Sequence, residues 1–307
     1  MLKSVQTEFY GYPPWSAVTN GLPNSGFKHY IAGMGLETLI QEKAQPVILT
    51  IAGFDPSSGA GITADLMTFA AHGCYGVACV TALTVQSTQG VRSVEPVSGQ
   101  VVRDTLAELA RDIPIAAIKI GMLGSAEAAR AICGFQNAFQ CPIMVLDPIL
   151  KASSGTELLG AGGVNALKSQ LMRLTSVITP NVAEASALTG LPVTDLAEMK
   201  LAAKRLQEMG ARNVVVTGGH MSHNTDVILT ETGSFEEITG QFVESKNTHG
   251  TGCAYSSALT CNLLSGKGLL ESAKAAKEYV LEAIEHARPF GKGKGPLNHL
   301  YGLKGNV

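Results

Sequence analysis

The sequence lacks the marks of several large classes of protein. No apolar run is long enough to cross a membrane, and no charged segment followed by an apolar stretch marks a secretory signal at the N-terminus. The formal net charge is only −2, so the basic surface that nucleic acid or an anionic membrane would require is missing. We therefore expect a cytoplasmic protein with neither of these partners.

Two classes of motif are also missing. The P-loop pattern G-x-x-x-x-G-K-[ST] occurs nowhere, so any phosphate binding has to use another element. The six cysteines form no C-x-x-C pair, and their mostly apolar surroundings predict reduced, buried thiols. A dinucleotide-type match, G-x-G-x-x-G/A, begins at Gly59, but the next predicted strand ends at Gln86 with no acidic residue near it to hold a ribose. We therefore discount NAD binding.

The composition of the chain changes near residue 45. Residues 1–45 are rich in turn-forming residues and contain one helix-like stretch, Gly35–Lys43. We interpret them as an N-terminal extension that is loosely ordered or packed on the surface. Residues 46–307 are long enough and regular enough to form a single large domain.

Within that domain, short apolar strands alternate with helices. The pattern predicts strands at Val47–Ala52, Tyr75–Val85, Ile115–Ile120, Ile143–Asp147, Ser176–Thr179 and Asn213–Thr217, helices at Ile62–His72, Ser98–Arg111, Ser125–Phe139, Glu184–Thr189 and Asp195–Met209, a hairpin of Asp226–Thr230 with Glu236–Phe242, and two closing helices. Such alternation predicts an α/β fold, with a mostly parallel central sheet and helices on both faces.

Ligands of such sheets lie outside the carboxyl ends of the strands. The residues that could bind a ligand or take part in catalysis lie at those ends: Gly53, Asp55, Gln86, Gly121, Met122, Asp147, Asn181, Glu184, Gly218 and Gly219. This shared position supports a functional site more strongly than any single motif does.

A glycine-rich turn, Gly250-Thr251-Gly252, precedes a helix that we predict to begin near Gly252. Glycines let the backbone approach a ligand closely, and the free N–H groups and dipole of a helix N-terminus attract a phosphate or a developing oxyanion. Cys253 lies at the same end, where the pKa of a thiol tends to fall. The alternative is an ordinary loop that enters a helix, with Cys253 as a small buried residue.

Two carboxylates also have two interpretations each. Asp147 and Glu184 could hold Mg²⁺ near a nucleotide phosphate, since Mg²⁺ is usually bound by a few carboxylates and water. Equally, Asp147 could cap a loop and Glu184 could complement the dipole of its helix. We interpret Lys119, Lys151, His220 and His249 as ordinary surface or loop residues.

The motifs together resemble those of the hydroxymethylpyrimidine / phosphomethylpyrimidine kinases of thiamine biosynthesis, in the ribokinase-like superfamily. The resemblance runs from about Val47 to about Leu300 and rests on the following segments, in the order of that family: 50–65, 81–90, Lys119-Ile-Gly-Met-Leu-Gly124, Val145-Leu-Asp-Pro148, Thr179-Pro-Asn-Val-Ala-Glu-Ala185 and Thr248-His-Gly-Thr-Gly-Cys253. It implies a three-layer sandwich, Mg-ATP as the phosphate donor and a homodimer.

The resemblance also implies roles for individual residues. Asp65, Gln86 and the Gly53 backbone would bind an aminopyrimidine in a pocket lined by Met122 and Ile149. Asp147 and Glu184 would hold the nucleotide and its Mg²⁺, with the metal bound partly through water. Asn181, Thr217 and Gly219 would lie beside the nucleotide. Gly250, Thr251 and Gly252 would form the anion hole, and Cys253 would stand where sugar kinases of the superfamily carry an aspartate base.

Two positions depart from the family pattern. Phe54 occupies a position that is often serine, and Thr217 stands where many members have lysine, so a cation near the phosphates is lost. We expect phosphorylation of 4-amino-5-hydroxymethyl-2-methylpyrimidine and then of its monophosphate. The alternatives are a pyridoxal or pyridoxine kinase, and a catalytically weak pyrimidine-binding protein, which the loss at Thr217 suggests.

Overall fold

The computed structural model describes residues 45–152, 154–219 and 224–303. Apart from residue 45, the predicted N-terminal extension lies outside the described residues, and so does His220.

Nine strands form one mixed sheet. They are β1 (Val47–Phe54), β2 (Tyr75–Ser87), β3 (Gly90–Pro96), β4 (Ile115–Ile120), β5 (Met144–Leu146), β6 (Val177–Ile178), β7 (Asn213–Val216), β8 (Thr225–Leu229) and β9 (Phe235–Thr239). Their spatial order is β3-β2-β1-β4-β5-β6-β7-β8-β9. In that order, the strands between β2 and β7 run parallel, whereas β3 at one edge and the β8–β9 hairpin at the other are antiparallel.

Helices cover both faces of this sheet. Those of the described residues are α1 (Gly61–Ala71), α2 (Gly99–Asp112), α3 (Ala126–Phe139), α4 (Ala161–Ala166), α5 (Val182–Thr189), α6 (Leu196–Glu208), α7 (Thr251–Leu264) and α8 (Leu269–Glu285). None of them is long and apolar enough to cross a membrane.

The core has two layers because successive side chains of a strand point to opposite faces. Val214 and Val216 of β7 join the large apolar cluster under α2, α3 and α6, whereas Val215 between them packs with α7 and α8. The predicted three-layer α/β arrangement is thus confirmed.

Three local features differ from the expectations. Strand β3 was not expected, yet it pairs antiparallel with β2 through residues 90–96, so β2 has a neighbour on its outer side. The glycine-rich segment 161–163 begins a helix despite its low propensity, since Leu167 and Leu171 in the following turn are fully buried. Strand β1 continues to Phe54 across a register shift at Gly53, where we expected a loop.

Candidate active site

The predicted site residues lie at the carboxyl edge of the parallel strands, as the topology requires. Met122 follows β4, Asp147 follows β5, Asn181 follows β6 and Thr217 follows β7. The glycine turn before α7 faces the same edge, because a Cβ on Gly252 would lie 3.7 Å from Oδ2 of Asp147. Segments that are distant in sequence therefore meet in one place.

The glycine turn has the backbone geometry that its sequence predicts. Helix α7 begins at Thr251, and Gly250 before it has a φ of +88°, which side chains rarely tolerate. A Cβ on Gly250 would lie 1.8 Å from the carbonyl oxygen of Gly59, so the turn packs directly against the β1–α1 loop. No described side chain caps α7 and its first turn holds no acid, which leaves its positive end available to an anion.

His249 joins this turn to the β1–α1 loop. Its Nε2 lies 2.7 Å from Oδ2 of Asp55 and 3.1 Å from Nε2 of Gln86. Burial raises the pKa of Asp55, but hydrogen bonds from His249 and Ser57 outweigh burial and hold that pKa below its ordinary value. The interpretation of His249 as an ordinary surface or loop residue is therefore wrong, since it links the predicted acceptor loop to the predicted anion hole.

Cys253 lies in the first turn of α7 with 6% of its surface exposed. Burial raises the pKa of its thiol to about 12, an effect that the charge of Lys119 and the N–H of Gly61 oppose and that Asp65 and Asp147 reinforce. The expected fall in the thiol pKa at this helix end is therefore wrong, because desolvation of the thiolate outweighs the favourable dipole.

Asp147 and Glu184 are the two carboxylates of the predicted magnesium site, and both are buried. Burial raises the pKa of Asp147 to about 6, although Lys119 opposes the shift. Burial, followed by the charge of Asp147, raises the pKa of Glu184 to about 8. Glu184 also lies in the first turn of α5, as its alternative interpretation expected, and it forms a capping box with Asn181, whose N–H donates to it at 2.9 Å.

These two carboxylates are of the donor type that Mg²⁺ prefers, and the pKa of each is raised by burial despite the charge of Lys119 beside Asp147. Among the described residues, no group of three or more His, Cys, Asp and Glu side chains could hold a metal ion. The protein donors for a divalent cation at this edge are therefore limited to these two carboxylates.

Asp65 and Lys119 form an ion pair beneath the site. The ammonium of Lys119 donates to Oδ1 and Oδ2 of Asp65 at 2.8 and 3.0 Å, and neither side chain is exposed. Asp65 also accepts hydrogen bonds from Thr50 at 2.6 Å and from Ser257 at 2.8 Å. In this arrangement, the Asp65 carboxylate is already occupied by neighbours and has no surface that faces a ligand.

The interpretation of Lys119 as a surface residue is therefore wrong. A signal for its burial was present in the sequence, because it interrupts the otherwise apolar strand Ile115–Ile120. A central parallel strand is covered on both faces, so a lysine within it requires a buried partner. Asp65 could have been recognised as that partner only with the fold in hand.

The predicted acceptor residues are brought together beside this pair. A Cβ on Gly53 would lie 2.8 Å from the sulfur of Met122, and Met122 packs in a small apolar cluster with Ile149. Gln86 lies nearby through its contact with His249. Phe54 is 36% exposed at the end of β1.

The predicted nucleotide residues form a second group across the edge. Thr217 pairs with Asn181 as an isolated parallel bridge, and its N–H donates to the carbonyl of Pro180. The N–H of Gly218 donates to Asp226 at 3.0 Å, and a Cβ there would meet the carbonyl oxygen of Thr225 at 2.1 Å. Gly219, the next residue, is exposed and opens this side to solvent.

Comparison with known protein families shows which proteins this chain is similar to. A family model described as phosphomethylpyrimidine kinase matches residues 55–298. The hydroxymethylpyrimidine/phosphomethylpyrimidine kinase of Aquifex aeolicus is 41% identical over 248 residues, which cover 80% of this chain and 97% of that protein. The thiamine biosynthesis bifunctional protein of Geobacter sulfurreducens is 42% identical over 82% of this chain, and this match spans about half (52%) of that longer protein.

Solved structures give the same result for the fold. The ADP complex of Bacillus subtilis pyridoxal kinase matches with a TM-score of 0.76 and 32% identity, over 83% of this chain and 98% of that one. The phosphomethylpyrimidine kinase of Clostridium difficile matches with a TM-score of 0.70 and 34% identity, over 78% of this chain and 100% of that one. The ribokinase-like fold and the family resemblance predicted from the motifs are both confirmed.

Proposed function

This chain belongs to the phosphomethylpyrimidine kinase family, and on that premise we propose that it transfers the γ-phosphoryl group of ATP to 4-amino-5-hydroxymethyl-2-methylpyrimidine and then to the resulting monophosphate. The observation that carries the proposal is the packing of Gly250 against Gly59. This packing brings an uncapped helix N-terminus beside the loop of the acceptor pocket.

Positioning and charge stabilisation account for most of the catalysis of phosphoryl transfer. The N–H groups of Gly250, Thr251 and Gly252 would face the oxygens of the transferred group, where the dipole of α7 adds positive potential. Gln86 would orient the acceptor ring through its amide, and Met122 and Ile149 would exclude water from the apolar face of that ring.

The donor side would use the residues that follow β5, β6 and β7. Asp147 and Glu184 would hold Mg²⁺, partly through water, and the ion would supply positive charge that offsets the charge of the phosphates. Asn181, Thr217 and Gly219 would line the nucleotide beside them. Ser256 donates to Oδ2 of Asp147 at 3.2 Å, which keeps that carboxylate aimed at the edge.

The two phosphorylations differ in their need for a base. The hydroxymethyl group must lose a proton, and Cys253 is the candidate acceptor of that proton. Burial raises the pKa of its thiol to about 12, so the thiol would have to lose its own proton before it could act as a base. The monophosphate is already an anion, so its phosphorylation needs little assistance from a base. Cys253 therefore belongs to the first step more than to the second.

Two alternatives have specific support. Pyridoxal kinases share the fold with TM-scores near 0.76, and their acceptor also carries a hydroxymethyl group on an aromatic ring. Three curated relatives with identities of 37–41% are named hydroxymethylpyrimidine/phosphomethylpyrimidine kinases, which favours the pyrimidine. The uncharged Thr217 supports a weakly catalytic pyrimidine-binding protein.

The test is ATP consumption at saturating Mg²⁺ in four parallel reactions: hydroxymethylpyrimidine, its monophosphate, pyridoxal and no acceptor. We expect turnover with both pyrimidines. Turnover with the monophosphate alone would limit the function to the second step, and turnover with pyridoxal alone would favour the first alternative. Pyrimidine binding without any turnover would favour a binding protein.

We also propose a homodimer in the cytoplasm. Leu83 and Val85 on β2 are more than half exposed, at 51% and 58%, which is unusual for apolar side chains near a sheet edge. All six cysteines are unpaired, as expected in a reducing compartment. Light scattering after gel filtration would test the dimer, and Leu83→Glu should shift it towards monomer.

A further inference from the structure

Lys119 is the only buried lysine or arginine among the residues that the structure describes. A lysine without any exposed surface is rare, because removing an ammonium from water is costly unless a carboxylate and further hydrogen bonds compensate. Strand β4 would be stable with an apolar residue here, as its other buried positions are apolar. The position of this charge therefore calls for an explanation beyond packing.

Side chains from four elements of the fold form the hydrogen-bond network around this ion pair. Lys119 is on β4, and its partner Asp65 is on α1. Asp65 accepts further hydrogen bonds from Thr50 on β1 and from Ser257 on α7, so both of its oxygens are shared between donors. The ammonium cannot move away from Asp65 without leaving a buried carboxylate with one partner fewer.

The pair lies under the predicted phosphoryl-transfer site. Ser257, which contacts Asp65, is one helical turn after Cys253, so the two side chains lie on the same face of α7, with their Cβ atoms roughly 5–6 Å apart. On the strand side, a Cβ on Gly121 would lie 2.9 Å from Nζ of Lys119. Asp65 makes the contact with α7, and the ammonium lies on the strand side of the pair. The ammonium still acts on the start of α7, because, burial aside, its charge lowers the pKa of the Cys253 thiol more than the charge of Asp65 raises it.

We propose that Lys119 is a positioning residue for phosphoryl transfer, whose ammonium, fixed by Asp65, places a permanent positive charge beneath the anion hole at the start of α7. This inference rests on the proposed function. The charge acts through the first turn of α7 and contacts no substrate, and it adds to the potential of the helix N-terminus where negative charge passes from donor to acceptor.

The alternative explanation is a structural tie, in which the Asp65–Lys119 pair only fastens α7 to the sheet. The two explanations differ in what they predict for charge-free variants. A buried ion pair contributes little net stability relative to neutral side chains of similar size. If the charge serves catalysis, its removal lowers the rate while the fold and the ground-state affinities remain.

The experiment uses Lys119→Met combined with Asp65→Asn, which removes both charges of the ion pair together. We expect kcat for the pyrimidine to fall about 30-fold, with the KM for ATP and for the acceptor changed less than about threefold. Affinity for ADP with aluminium fluoride, which mimics the transferred group, should fall by a similar factor, whereas affinity for ADP alone should not change. If this variant does not fold, Lys119→Leu with Asp65→Leu replaces it.

Ser257→Ala is the matched control, since it removes one hydrogen bond between α7 and the pair but keeps both charges. It should retain kcat within about threefold of the wild type. An equal loss in Ser257→Ala and the charge-free variant would overturn the proposal in favour of the structural tie. A rise in the acceptor KM with unchanged kcat would also overturn it, because Asp65 would then serve acceptor binding.

Failure of the proposed function would look different. If the wild type phosphorylates neither pyrimidine, the proposed function is wrong. The role of Lys119 can still be tested, because measuring the affinity for ADP with and without aluminium fluoride requires no acceptor. Equal affinities of wild type and charge-free variant for the aluminium fluoride complex would then still overturn the role of Lys119. A selective loss of that affinity would support it.

Discussion

The proposed active site has a floor and a rim that differ in construction. The floor comprises Asp65, Lys119, Asp147 and Cys253, of which none is more than 6% exposed and each interacts with charged neighbours. The rim is Phe54, which ends β1 and is 36% exposed.

This difference predicts a division of roles between the two regions. Floor residues are fixed by several partners each, so a change there alters charge and geometry in a low-dielectric environment, where electrostatic effects are large. The Phe54 side chain is partly exposed, so a substitution there changes the shape of the entrance with little effect on folding. The floor should therefore determine the rate of phosphoryl transfer, and the rim should determine which acceptor enters.

The largest effect is expected from Asp147→Asn. The change preserves shape but removes a charge from the predicted metal site, so kcat should fall about 1,000-fold. Steady-state kinetics over a range of Mg²⁺ concentrations measures this loss. Ser256→Ala, which removes only the hydrogen bond to Asp147, should cost less than about tenfold. Similar losses in the two variants would contradict a metal-binding role.

Gly250→Ala should be the next most severe change. The new Cβ would collide with the carbonyl of Gly59, and the φ of +88° is strained for alanine, so the two glycine loops would separate. We expect a kcat loss of about 100-fold and a free energy of unfolding lowered by more than about 2 kcal/mol.

Gly266→Ala is the control for that strain. Its φ of +93° is similar, but nothing lies within 4 Å of the added Cβ. It should lower the free energy of unfolding by about 1 kcal/mol and leave kcat unchanged. Equal kinetic losses in the two variants would show that backbone strain, rather than contact between the loops, affects the site.

Cys253→Ala separates the two phosphorylations. The alcohol step should slow by about 100-fold, because a proton acceptor is lost, and the monophosphate step by less than about fivefold. Rapid-quench kinetics on each acceptor measures the two losses. Equal losses would remove Cys253 as the proton acceptor.

The raised pKa of Glu184 predicts a dependence on pH. Its carboxyl is protonated in the folded state up to about pH 8 but ionises near 4.5 when unfolded, so the free energy of unfolding should fall as the pH rises between these values. Binding of Mg-ADP at pH 7 should release about one proton, since a metal ligand must be deprotonated. Calorimetry in buffers of different ionisation enthalpy measures this release, which Glu184→Gln should abolish.

The smallest effect on rate is expected at the rim. Phe54→Ser removes the ring and opens the entrance, so kcat for the pyrimidine should change less than about threefold while the acceptor KM shifts about tenfold. Thermal unfolding should be unaffected. A large fall in kcat would place Phe54 in the floor and would break the division between the two regions.

The sequence predicted the residues at the edge of the sheet better than it predicted the burial and pairing of Lys119 and Cys253 in the floor. Strand ends at Met122, Asp147 and Asn181 were predictable because apolar periodicity reveals where a buried strand stops. The role of Lys119 was not, since its partner is 54 positions away and the pairing depends on how α1 packs on β4. The pKa of Cys253 was predicted in the wrong direction, because a sequence shows a helix end but not its burial.

The most direct test of this division is the ratio of kcat/KM for hydroxymethylpyrimidine to that for pyridoxal, measured with radiolabelled ATP on three proteins. In Asp147→Asn, both values should fall together and the ratio should stay within about threefold of the wild type. In Phe54→Ser, the ratio should change about tenfold while the faster reaction keeps its kcat. A ratio altered by Asp147→Asn and unaltered by Phe54→Ser would contradict the assignment of chemistry to the floor and selection to the rim.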